Sequence, residues 1–414
     1  TVAPGASPGC VTLAGNMVLT GGDALAMEIN GTTPCTTHDQ FIVNGTVTLG
    51  GANLSATLGY VPVNADQIII IDNDGGDAVV GQFAQGGSIT LMGNYFLINY
   101  AGGDGNDVVL TLCAGVKNTT TMEVFCTIQE GVDDPQTLDG HTLLIAAGTY
   151  NERVTLTKRL TLDGAGAGST ILDGSGLAGT GNGITINAGI INVTIKDLTV
   201  RDYAGANPNA SAGIYGVGGN NNLTVTDVDL ADNIGGSGFY ANGPIDNVLM
   251  NNVDAHGHTN INGAARGIVI WNGHKSNITI TNCEVYNNNC CGIELQDGSA
   301  SGVTMTGNNV HDNWDNGIGI VGLDNTTAAN LVGTNTLTDN GRFGIEIKNP
   351  NGNGTNTVIS GNTVTQSASF VTLRPSEVRD IAGIAVFRRG LTGSNVDVPN
   401  GVRVIGNTVS GYIQ

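Results

Sequence analysis

Glu294 and Glu346 sit in two nearly identical phrases, GIELQ and GIEIK, and a third, GIGIV, lies between them with Gly319 at the matching position. If each phrase is one strand of a stack, the two carboxylates flank a bare glycine at about 10 Å. An inverting glycosidase places its acid and base carboxylates about 6.5–9.5 Å apart, with room for a water, and Gly319 would leave that room. Trp271 would be a stacking platform for a sugar ring, and Arg342, Lys348 and Arg388 would bind an acidic polysaccharide. Asp312 and Asp315, in HDNWDNG, are candidate Ca²⁺ ligands beside this column. The same residues also read as charged groups on a solvated sheet face, which would be ordinary. No polygalacturonase-like set of paired aspartates with its His and Arg–Lys motifs is present, no Asp-Pro-His of the alginate-epimerase kind, and no acidic cluster with an arginine base.

Other residues invite metal chemistry. His256 and His258 in AHGH, with His274 and His311, fall in successive turns, but Asn-rich surroundings give them no fixed stacking. GGDGNDVVL at 102–110 matches a nine-residue calcium repeat and brings Asp104 and Asp107, while DNDGGD at 72–77 brings Asp72, Asp74 and Asp77. A single copy lacks the stacked neighbours that complete such a site, so two Asp/Gly hairpin turns are the alternative. Of the seven cysteines, none forms a CxxC or lies at zinc spacing from a histidine. Disulfides in an oxidising compartment are expected, with nearest-neighbour pairs Cys10–Cys35 and Cys113–Cys126. The adjacent Cys290 and Cys291 are candidates for a vicinal bridge, and Cys283 occupies an apolar repeat position as a buried thiol.

The elements that must hold these residues are repeats. Eight phrases open on a glycine followed by alternating apolar residues, at Gly183, Gly213, Gly238, Gly267, Gly292, Gly317, Gly344 and Gly383. Each contains a second strand such as NVTIKDLTV, NLTVTDVDL or SNITITNCEV. After it comes Asp or Asn at 197, 227, 252, 282, 308, 335, 362 and 407, read here as one stacked column whose amides bond the next coil's turn. Intervals of 25 to 30 residues, with 39 between the last two, and strand alternation predict an all-β, right-handed parallel β-helix over 117–414. Residues 1–116 contain no Lys or Arg against nine Asp or Glu, and predict a smaller β-rich domain of strands broken by Gly/Asn/Asp turns.

With AGTYNE at 147–152 and TLDGAG at 161–166, the second segment resembles pectate-lyase-like and carbohydrate-binding or sugar-hydrolase β-helix proteins. That resemblance implies the fold; the architecture hosts lyases, hydrolases, epimerases, adhesins and phage tail spikes alike. Residues 43–112 resemble the strand repeats of autotransporter-passenger-like surface proteins, which implies a cell-surface or secreted origin.

The net charge of −20 disfavours nucleic acid and anionic membranes as partners, and no apolar run is long enough to span a membrane. The opening TVAPGASPG reads as a linker and GNTVSGYIQ stops inside a repeat, so a processed chain or a piece of a longer one is expected. The expected function is a secreted or cell-surface structural or adhesive protein, self-associating head to tail into filaments or contacting neighbouring surface proteins. It needs no cofactor, Ca²⁺ being the one candidate. The alternatives are a polysaccharide hydrolase or lyase, and a non-catalytic glycan-binding module.

Overall fold

The computed structural model describes residues 1–412 except 6–7, 64–65, 114, 206–210, 261, 325, 327, 352–355, 368–380 and 389–400. The chain is nearly all β, a solenoid of about 12 turns, and divides into two compact units. One comprises Thr1–Val116 with Val124–Thr127, the other Lys117–Glu123 with Ile128–Gln414.

In the larger unit one face is a parallel sheet of nine strands: Val154–Leu156, Ile184–Ile186, Ile214–Gly216, Phe239–Asn242, Ile268–Trp271, Ile293–Gln296, Ile318–Val321, Phe343–Lys348 and Ala382–Phe387. The last eight are the Gly-initiated phrases of successive coils, and Val154–Leu156 precedes them without an initiating glycine. The second strands, among them Val193–Arg201, Leu223–Ala231 and Ile245–His256, form another parallel sheet. Parallel pairing between consecutive coils requires a crossover, and such crossovers are right-handed. Alternate residues point inward, so Ile293 and Leu295 stack on Ile268 and Ile270, all at 0% exposure. The initiating glycines permit close approach: a Cβ on Gly317 would lie 2.7 Å from the carbonyl oxygen of Gly344. The short helix Ile128–Asp133 is capped by Glu152, which accepts from the backbone amides of Ile128 at 2.7 Å and Gln129 at 2.9 Å. The AGTYNE phrase thus ends in a helix cap.

The column expected from 197 to 407 is two columns. Asp197, Asp227 and Asn252 kink the second strands and Asn282 lies in a bend, all at φ of 54–57° and outside the core. The interior position is one residue later and is filled by Leu198, Val228, Val253 and Cys283. In this column asparagine enters the interior from Asn308 onward: Asn308, Asn335 and Asn362 are 1% exposed. There each Oδ1 accepts from the backbone amide of the preceding coil, as from Cys283 to Asn308, Asn308 to Asn335 and Asn335 to Asn362, each at 3.0 Å. Both positions favour asparagine, one for its tolerance of the left-handed region and the other for its amide, so the letters alone merge them. A second interior ladder, absent from the expectation, runs through His258, Asn288, Asn313 and Asn340.

The smaller unit is not merely a set of strands joined by turns. Cys10–Leu13 pairs in parallel with Gln40–Val43, Met17–Val18 with Val47–Thr48, and Ala24–Ile29 with Asn53–Leu58. These partners are 29 or 30 residues apart, so the unit begins as coils of its own. It then changes to antiparallel pairing of Gln67–Asn73, Asp107–Cys113, Asn94–Gly102 and Ser88–Leu91. Cys10 is bonded to Cys35 and Cys113 to Cys126.

Candidate functional site

The outer column of the nine-stranded sheet has the expected register. Val269 pairs with Glu294, Glu294 with Gly319, Gly319 with Glu346, and Glu346 with Ala385. Its environment differs from the expected solvated face: Glu294 and Glu346 are each 1% exposed. The residues just before the initiating glycines stack coil on coil beside the column, and two of their side chains reach its carboxylates. Residues 266, 291, 316 and 343 occupy that place, fixed by the amides of Gly267, Gly292 and Gly317, which donate to the carbonyls of Cys291, Asn316 and Phe343.

From this strip Arg266 reaches Glu294, its Nε bonding Oε2, while Nη1 donates to the carbonyl of Ala264 at 2.7 Å. Gln296 donates to Glu294 Oε1 at 2.7 Å. Burial pulls the Arg266 guanidinium toward neutrality, but Glu294 and the thiols of Cys290 and Cys291 outweigh it and hold the cation firmly charged. Asn316 donates to Glu346 Oε2 at 2.6 Å, and Lys348 pairs with the same oxygen at 2.8 Å. Burial raises the Glu346 carboxyl above its usual range; Lys348 and Arg342 oppose the rise and Glu294 adds to it. Three buried polar atoms lack a hydrogen-bond partner among the described residues here: Glu346 Oε1, Asn316 Oδ1 and Arg342 Nε. The space over Gly319 is narrow, since a Cβ there would lie 3.3 Å from Glu294 Oε1 and 3.6 Å from Asn316 Nδ2.

The expected sugar platform is partly used. The Arg266 guanidinium lies 4.8 Å from the Trp271 ring centroid, and Trp271 packs on a small apolar roof of Ala212, Tyr240 and Val269. Arg342 similarly covers Phe343 at 4.7 Å. Arg388 follows Phe387, which pairs with Lys348 one coil before. Arg266 and Asn316 were not among the expected residues. Aligning the residue before each initiating glycine places both in one column and would have found them.

Asp312 and Asp315 do not act together. Asp312 accepts from His311 at 2.8 Å, whereas Asp315 lies beside Cys290 and Cys291. The histidines serve separate structures. His256, Tyr286 and His311 stack as rings 4.7 and 4.9 Å apart, flanked by Asp229 and Glu284. His258 is fully buried in the interior ladder, accepts from the amide of Asn233 through Nδ1, and is pushed down to about 3 by burial. His274 bonds Ser299 and Ser301. In the smaller unit the two acidic turns do meet: Asp107 accepts from the Asn73 amide at 2.9 Å, and Asn106 donates to the carbonyls of Gly75 and Asp77. Burial and the charges of Asp107, Asp104 and Asp74 raise the Asp72 carboxyl. Among the described residues, however, the carboxylates of Asp72, Asp74, Asp77, Asp104 and Asp107 do not converge as a ligand set; the one group that does is Cys290, Cys291 and Asp315. Cys290 and Cys291 are free thiols, with Sγ atoms 2.9 Å apart, rather than a bridge.

A 54-residue stretch is 43% identical to a cell surface glycoprotein of Methanothermus fervidus, covering 13% of this chain and 9% of that protein's length. Among solved structures the chain is similar to the periplasmic alginate epimerase AlgG, at 12% identity and TM-score 0.43, covering 98% of this chain and 79% of that one. Another is the mannuronan C-5 epimerase AlgE4 A-module of Azotobacter vinelandii, at 16% identity and TM-score 0.35, covering 69% of this chain and 90% of that one. The sequence pattern of the right handed beta helix region is matched over residues 162–332 and 266–411, more than half of the chain, which therefore belongs to that family.

Proposed function

We propose that this protein is a structural element of a cell surface, in which the β-helix serves as a rod rather than as a reaction vessel. The chief support is the state of the outer column. Its two carboxylates are buried and already committed to Arg266, Gln296, Asn316 and Lys348. A two-carboxylate hydrolase must admit a sugar and a water between them. The stretch similar to a surface glycoprotein and the two disulfides support an extracellular or surface location. Self-association of rods, and contact with neighbouring surface proteins, follow from this reading. Incubation with neutral and uronic-acid polysaccharides is expected to release no new ends and no unsaturated products, while negative-stain microscopy is expected to show end-joined rods. Product release that disappears in both Glu294→Gln and Glu346→Gln would overturn the reading.

The unpartnered Glu346 Oε1, Asn316 Oδ1 and Arg342 Nε favour a second reading, a glycan-binding or glycan-active face around Gly319. Ligand hydroxyls would satisfy those atoms. Saturable polysaccharide binding lost in Asn316→Ala would support it.

A further inference from the structure

Beside the carboxylate column lies a group that neither reading uses. Cys290 and Cys291 close the turn before Gly292, and the backbone stacks the next coil on them: the Asp315 amide donates to the Cys290 carbonyl at 2.5 Å, and the Gly292 amide to the Asn316 carbonyl at 2.9 Å. This places the Asp315 carboxylate against both sulfurs. The three donor atoms lie within 4.8 Å of one another; both cysteines are buried and Asp315 is half-buried. The other cysteines are placed differently: four are in disulfides, and Cys283 stands in the interior column where Asn308 takes its amide bond.

We propose that Cys290, Cys291 and Asp315 bind a thiophilic divalent cation of the Zn²⁺ class, with three protein ligands and a fourth position left for water. Two thiolates and a carboxylate are the donors a borderline-soft ion prefers, with Zn–S near 2.3 Å and Zn–O about 2.0–2.2 Å. Around a tetrahedral ion two sulfurs stand about 3.8 Å apart. The present 2.9 Å must therefore open, which rotation about the two Cα–Cβ bonds provides. Two thiolates and one carboxylate exceed a dication by one negative charge, and the Arg266 cation, which Glu294, Cys290 and Cys291 all favour, stands beside that excess. Without a cation the site is costly to ionise: burial, Cys290 and Glu294 raise the Cys291 thiol well above its ordinary range. Binding would accordingly release thiol protons.

The test uses the full chain, reduced, stripped with chelator and titrated with Co²⁺. The expected result is one equivalent bound with a thiolate-to-cobalt charge-transfer band in the near ultraviolet, displaced by Zn²⁺. The band is lost in Cys290→Ser and Cys291→Ser and retained in Cys283→Ser. Asp315→Asn keeps the band but weakens binding by at least about tenfold. Should the serine variants fail to fold, alkylation of the reduced wild-type chain replaces them, and Zn²⁺ must slow the modification of Cys290 and Cys291 relative to the same chain in chelator. Absence of the band with the thiols shown to be free would overturn the proposal. So would a band unchanged in both serine variants, or a native chain two hydrogens lighter through a Cys290–Cys291 bridge. None of these outcomes bears on the surface reading, which stands or falls with polysaccharide turnover and assembly.

Discussion

At the scale of the residue, the structure turns on what surrounds a carboxylate. Glu294 was visible as one of a pair, but its partner Arg266 lies 28 positions away, in a turn one coil earlier. Burying such a pair is expensive, and removing one member leaves the other uncompensated. Arg266→Ala is expected to destabilise the protein by about 3–5 kcal/mol in denaturant unfolding, and adding Glu294→Leu should recover part of the loss. If the double variant is no better than the single one, the pair is not the source. His256 gives a pH test. Its hydrogen bond to Asp229 raises the imidazole above its ordinary value, with Asp229, Asp232 and Asp254 adding to the effect and burial opposing it. A raised histidine contributes stability that is fully present below its unfolded value of about 6.5 and is lost as pH rises through the folded value. His256→Gln should therefore cost most at mildly acid pH and approach wild type in alkaline solution. A pH-independent difference in melting temperature would refute this.

At the scale of the element, the interior asparagine ladder from Asn308 to Asn362 ties each coil to the next through side chain and backbone together. Asn335 donates to the Met305 carbonyl at 3.0 Å and to Asn362 Oδ1 at 2.9 Å, and accepts from Asn308. Removing it orphans buried groups on both neighbouring coils, each costing about 1–3 kcal/mol. Asn335→Ala should lower the unfolding midpoint well below that of Asn252→Ala, which removes a turn bond to Asp227 in an exposed ladder. Equal effects would mean that both columns carry the same load. How much was legible follows from the same comparison. The Gly-initiated strands and their register could be read, because a glycine and two alternating apolar residues are forced by close packing in every coil. The ladder could not be placed, because Asn282 and Asn308 look alike in sequence, although one meets water and the other meets backbone.

At the scale of the whole molecule, stability in a solenoid is a sum of coils and their interfaces, so unfolding need not be a single transition. Loss of the ladder at Asn335 is expected to raise amide exchange in the coils around residues 300–365 while the coils around 193–256 remain protected. Uniform loss of protection would argue for one cooperative unit. The smaller unit shows the limit of repeat detection. Its coils, near 10, 40 and 67, are too few and too unequal to establish a period, and it changes to antiparallel pairing before a longer series can develop.

The all-β class, the parallel helix, its coil-opening glycines and the Glu294–Gly319–Glu346 register were determined by sequence alone, because one backbone geometry repeats and selects the same residue types each time. Only the tertiary structure decided that the carboxylates of this column are buried, that Arg266 and Lys348 neutralise them, and that Cys290, Cys291 and Asp315 share one corner. Those contacts run between turns whose lengths and residues vary from coil to coil. Burial and charge pairing there depend on distance in space, which spacing along the chain does not carry.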